Sequence, residues 1–114
     1  MTAPAEAKIP AMILPHSLEA ERAVVGGLLV WASAFAEVAG LVGPEAFYHP
    51  SLGVIFAAMT ALDGAGSPID LLTVGEELRR TGKLEKLRDQ GGEAYLAELS
   101  ARVVTVETLP HYAG

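Results

Sequence analysis

Three histidines, fourteen acidic residues and a scatter of serines are the side chains in this sequence that could do chemistry, and their spacing decides whether they do. His16, His49 and His111 lie far apart, with no second histidine three to five residues away, so a metal site would need three distant elements to converge. Capping or surface roles are the expectation for all three. Glu76 and Glu77 are neighbours and cannot both aim at one substrate atom from a regular helix, and Asp70 is better placed as a helix cap. Ser17 and Ser51 lack the strand-to-helix elbow that exposes a serine nucleophile. No glycine-rich loop carrying the phosphate-binding lysine occurs. Gly64, Gly66 and the pair Gly91-Gly92 precede ordinary helices without the strand that a phosphate cradle requires. The chain is therefore expected to have no catalytic machinery, no metal and no cofactor of its own. A small hydrolase using Asp70 or Glu77 is the remote alternative.

Composition narrows the class further. With 114 residues, one core is affordable, and at 51% hydrophobic but only 6% aromatic it must be built from Leu, Val, Ala and Ile. There is no cysteine, which excludes disulfides, thiolate metal sites and cysteine nucleophiles, and leaves the cytoplasm as the default location. The apolar run from Ala23 to Ala36 is interrupted by Gly26, Gly27 and Ser33 and falls short of the roughly 20 residues that a bilayer span needs. No membrane partner is expected. A net charge of −6 argues against direct gripping of nucleic acid, which favours a basic face. Arg79, Arg80, Lys83, Lys86 and Arg88 do cluster. They read first as a solvated helix end and second as a docking face for an acidic partner.

The elements that must carry these residues are helices. Residues 1–15, with Pro4, Pro10 and Pro15, read as an arm, and residues 16–90 as a globular helical unit. Ser17 caps a first helix to about Trp31, with Glu19 and Glu21 favoured near its N-terminus by the helix dipole. Its many small apolar residues mark it as the central, most buried helix. Ser33 is expected to cap a short second helix through Phe35 and Val38 to Gly40, and Pro44 to open a turn bearing Phe47 and Tyr48. Pro50 starts the clearest stripe, Leu52, Ile55, Phe56, Met59 and Leu62. Asp70 caps a helix with Leu71, Val74 and Leu78 that ends at Gly82, and Leu84 and Leu87 suggest one more turn. After Gly91-Gly92, Glu93 to Arg102 forms a sixth helix with Leu96 and Leu99 facing one way. Tyr95 there is either a partner anchor or a core residue with a wet hydroxyl. Thr105 is expected to cap a last helix carrying Leu109 and Tyr112, although Pro110 would shift its start toward Leu109. Residues 91–114 thus read as a helical hairpin too short to stand alone, one that must lean on the first six helices, on a second copy or on further chain. No alternating run long enough for a sheet occurs, so the fold class is all-α: a bundle of about six helices followed by a C-terminal hairpin.

Four segments in order resemble the amino-terminal domain of the bacterial replicative DNA helicase family of the DnaB type. They are Pro15 to Leu29 (PHSLEAERAVVGGLL), Phe47-Tyr48 with Ile55 to Met59 (IFAAM), Ser67 to Val74 (SPIDLLTV) and Gly91 to Leu99 (GGEAYLAEL). The chain departs from the family pattern at Leu52, where His is frequent, and at Thr108 and Pro110. The resemblance implies a collar domain in a six-membered ring, with terminal hairpins pairing between copies and the globular parts meeting primase and, further, a helicase loader. The ATP- and Mg-dependent motor belongs to a following domain. Tyr95, Leu96, Leu99, Leu109 and Tyr112 match the hairpin and are the implied interface residues, some of them expected in the core. On this reading Leu99→Asp should separate copies without loss of helix. The helicase-binding domain of a primase is the alternative, disfavoured because Met1 and the Pro15 to Leu29 segment place the domain at a chain start; a generic helical oligomerisation domain ranks below it.

Overall fold

The computed structural model describes residues 17–107, with side chains described through Arg102. Every regular element among them is helical, so the fold is all-α. Helix α1 (Leu18–Val30) starts at Ser17, whose extended backbone lets its hydroxyl accept from the Ala20 N–H at 3.1 Å. A 3-10 turn, Ala32–Ala34, leads into α2 (Phe35–Ala39). Ser33 therefore lies inside that turn and does not cap α2, contrary to the sequence expectation. The continuous turn makes a side-chain cap unnecessary there, and none is formed. Gly40 ends α2 as expected.

The 3-10 turn Pro44–Ala46 precedes α3 (Pro50–Gly64), with Pro50 in its first turn. This helix, not α1, holds the centre: Leu52, Ile55, Phe56, Ala58, Met59 and Leu62 are all buried. Helix α1 buries only one stripe, Glu21, Val25, Gly26, Leu28 and Leu29. Its small residues made it look apolar all round, but Ala23 faces solvent. Glycine is demanded by packing at Gly53, where a methyl would stand 2.9 Å from the Pro44 carbonyl oxygen, so the 3-10 turn crosses α3 at close range. Phe56 gathers the other two phenylalanines, with ring centroids 5.3 Å from Phe35 and 5.2 Å from Phe47 in tilted pairs.

Gly66, at φ +76°, closes α3, and the Ser67 N–H returns to the Leu62 carbonyl at 2.9 Å. Asp70 then opens α4 (Leu71–Arg80) with a capping box: the Thr73 N–H donates to Asp70 Oδ1 at 2.8 Å and the Asp70 N–H donates to the Thr73 hydroxyl at 2.9 Å. Gly82, at φ +74°, repeats the α3 ending, with the Lys83 N–H on the Leu78 carbonyl. A 3-10 segment, Leu84–Gln90, buries Leu87, and Gly91-Gly92 turns the chain into α5 (Glu93–Glu107).

Two expectations about the carboxy-terminal part change here. Helix α5 runs through Val103, Val104 and Thr105, so Thr105 is an interior helical residue and not the cap of a new helix. The packing also does not stop at residue 90. Helix α5 lies along α1 as the most extensive helix pair, and Tyr95, Leu96 and Leu99 join the same core as Val25 and Leu28. The first arm of the expected hairpin is a wall of the globular unit, because its apolar edge finds cover within the chain. The remainder, residues 108–114, lies outside the described residues, as does the proposed arm 1–15. No single described helix is long and apolar enough to cross a membrane.

Candidate docking surface

A buried carboxylate organises the junction on which the exposed surfaces depend. Glu21 is on α1 and fully buried, yet its two oxygens reach the backbone just ahead of α3: Oε2 accepts from the Tyr48 N–H at 2.8 Å and Oε1 from the His49 N–H at 3.1 Å. His49 Nδ1 lies 3.0 Å from the same Oε1. Burial pushes the Glu21 carboxyl up, but the Tyr48 N–H, the His49 ring and the His49 N–H together outweigh that cost. The carboxyl is held below its ordinary value of 4.5. A negative charge at this end of α3 also opposes the partial positive charge of the helix terminus. His49 is thus a structural residue, and no group of three or more metal-ligating side chains occurs among the described residues. His16 and His111 lie outside them.

Two of the carboxylates considered for catalysis have structural partners. Asp70 holds the capping box, and Glu77 accepts from Arg80 at 2.8 and 3.2 Å. The basic cluster is largely neutralised as well, with Arg79 on Glu93, Arg80 on Glu77 and Arg88 on Glu85. Lys83 and Lys86 take part in no ion pair recorded among the described residues.

The implied interface residues divide cleanly. Tyr95, Leu96 and Leu99 are 2%, 1% and 1% exposed within one copy, so they are core, and Leu99→Asp would put a carboxylate into the apolar centre instead of merely parting two copies. Leu109 and Tyr112 lie outside the described residues. What α5 does offer a partner is its opposite side, where Ala94, Ala97 and Ala101 are exposed. Trp31, Leu41 and Leu72 also show large apolar surface, Leu72 most of all at 69%. A groove of about 530 Å³ runs between the Pro44 turn, α3 and α4, floored by Gly53, Val54, Ala57 and Ala61.

The model of the DnaB-like helicase N-terminal domain family matches residues 13–114. This chain belongs to that family. The chain is 39% identical over 103 residues to the replicative DNA helicase DnaB of Pasteurella multocida, covering 90% of this chain and 21% of that protein. To the DnaB of Geobacillus stearothermophilus it is 38% identical over 101 residues, covering 89% of this chain and 22% of the relative. It thus spans about a fifth of the length of these relatives. Among solved structures, the N-terminal domain of DnaB helicase from Mycobacterium tuberculosis superposes with a TM-score of 0.69 at 38% identity, covering 76% of this chain and 58% of that one. In this DnaB-like domain Glu21 went unrecognised from sequence because its first-turn position already suited the dipole of its own helix. A signal was present: Glu21 precedes Val25 by four and Leu28 by seven, the spacing of the buried stripe.

Proposed function

We propose that this chain is a ring-assembly and protein-docking domain of an ATP-dependent replicative DNA helicase, associating with copies of itself and docking primase. The observation that carries the reading is the family match across nearly all of a chain that spans only about a fifth of its helicase relatives. A separate motor, with ATP and Mg, would lie in the rest of such a protein. The shape of α5 supports the self-association: its inner edge is committed to the core, while its outer side presents Ala94, Ala97 and Ala101, small enough for a second helix to approach closely. A loader protein is a further partner of the same kind, and direct contact with nucleic acid is a minor part of the role, given the charge of −6.

The test is solution mass measured across concentration, beside titration with the carboxy-terminal domain of the cognate primase. The expected result is a self-associating species that Ala97→Arg reduces to monomer with its helical signal intact, because Ala97 is exposed in one copy. A strict monomer at every concentration that also fails to bind primase would overturn the reading.

A further inference from the structure

Beneath the N-terminus of α3 lies a second cavity, of about 320 Å³, lined by Leu18, Arg22, His49, Lys86, Asp89 and Tyr95 among others. We propose that this cavity seats a carboxylate side chain from an acidic segment of a partner protein. The inference rests on the docking-domain reading and goes beyond it by naming the seat and the chemistry of what enters.

Arg22 is the centre of the argument. Its Nε donates to the Tyr95 hydroxyl at 3.4 Å, and its guanidinium lies over the Tyr95 ring, 5.8 Å from the centroid. Tyr95 is held in the core, so the fork is oriented before any ligand arrives. Glu19 and Glu98 act on the charge of Arg22, but both direct carboxylate oxygens at Arg102, at 3.5 and 4.0 Å. No carboxylate among the described residues makes an ion pair with Arg22. Its terminal nitrogens are thus suited to a planar, bidentate acceptor, the geometry a carboxylate supplies. Lys86, on the same cavity and without a recorded ion pair, adds a second positive charge, and Asp89 supplies the one acidic group of the wall.

The surroundings select a protein ligand over a nucleic acid. Two cations and one acid do not make the extended basic track that a phosphate backbone needs. Leu18, half-exposed at the rim, gives an apolar neighbour of the kind a peptide side chain adjoins. Of the basic cluster, Arg79, Arg80 and Arg88 are engaged in internal pairs, Lys83 and Lys86 form none among the described residues, and Lys86 is the one that shares this cavity with Arg22.

A short N-acetylated peptide alternating Glu and Leu, titrated into the 114-residue chain and followed by heteronuclear NMR, tests this, with the same peptide carrying Gln for Glu as control. The expected result is movement of the Arg22 Nε resonance and of the amides of Lys86 and of Ser51, which also lines the cavity, with the acidic peptide only. Arg22→Gln should weaken binding about tenfold, the worth of one charge-assisted fork. Lys86→Gln, at an exposed site that cannot unfold the chain, should weaken it about two- to threefold. Equal binding of the control, no binding of the acidic peptide, or resonance changes centred on Arg79 and Arg88 would overturn the proposal. So would inorganic phosphate or a short oligothymidylate occupying the cavity at lower concentration than the peptide. Loss of this site leaves self-association, measured by solution mass, standing or falling on its own.

Discussion

Two helix starts in this domain solve the same problem from opposite distances. At α4, Asp70 and Thr73 exchange hydrogen bonds across three residues, and everything the backbone requires is written in four consecutive positions. At α3, the N–H groups of Tyr48 and His49 are met by Glu21, which stands 27 and 28 residues earlier on another helix. The local device fixes only where α4 begins. The distant one also fixes how α1 sits on α3, because the carboxylate cannot reach both N–H groups unless the two helices are already docked. A cap of the second kind is therefore a tertiary contact, and its loss should be felt by the whole fold.

The largest effect expected is that of Glu21→Ala. It strands two backbone donors and the His49 ring at a buried junction and leaves a small void, for a loss of about 3 kcal/mol and a fall in Tm of about 15 °C. Urea and thermal unfolding of the two proteins measure it. A loss no greater than that of an ordinary exposed cap would show that the junction is held by packing alone and would erase the contrast with α4.

A smaller but more diagnostic effect lies in the acid limb. The Glu21 carboxyl is held below its ordinary value of 4.5, so its contribution is fully present above that pH and is lost as pH falls through the still lower folded value. The parent chain should therefore lose more stability between about pH 7 and about pH 3 than Glu21→Gln does, the variant having no proton to take up at that position. Parallel curves for the two proteins would mean that Glu21 does not titrate at the junction.

How much of this was legible from the residues follows the same division. The Ser17 and Asp70 caps, the glycine ending at Gly82, and the α3 stripe from Leu52 to Leu62 are encoded within one turn of where they act, and all were readable. Ser33 and Thr105 were misread because a capping residue type is also tolerated inside a helix, and nothing local distinguishes the two uses. Helix α1 looked central because small residues raise apparent hydrophobicity without saying which face is covered. The burial of Tyr95, Leu96 and Leu99 depends on α1 lying alongside α5, a pairing of segments some seventy residues apart, as the Arg22 to Tyr95 contact shows. Short-range patterns carry no information on such a pairing. The Arg22 cavity was invisible for the same reason, since its walls come from α1, the α3 start, the 3-10 segment and α5.

Asp70→Ala should cost about 1 kcal/mol, in keeping with a solvent-exposed cap, and the loss should be read in the unfolding midpoint with the amides of the core unmoved. If the loss approached that of Glu21→Ala, the box would be coupled to the core in the way the distant carboxylate is.

The smallest effect sharpens the comparison most, because it asks whether a local cap can stand in for the distant one. His49 is the residue just before α3 and already has the extended backbone of a capping position, φ −94° and ψ 115°, with no cap from its own side chain. Adding His49→Asp to Glu21→Ala supplies a carboxylate that can accept from the first-turn N–H groups of Ser51 and Leu52, and it places negative charge at the helix end. It cannot turn back to the Tyr48 and His49 N–H groups that Glu21 serves. The double variant should therefore recover about 0.5 to 1 kcal/mol of the roughly 3 lost, and no more, as measured by urea midpoint. Full recovery would show that a negative charge near α3 is all that the junction needs. No recovery would show that what Glu21 provides is the bridge between α1 and α3, with the helix start deriving nothing from the charge itself.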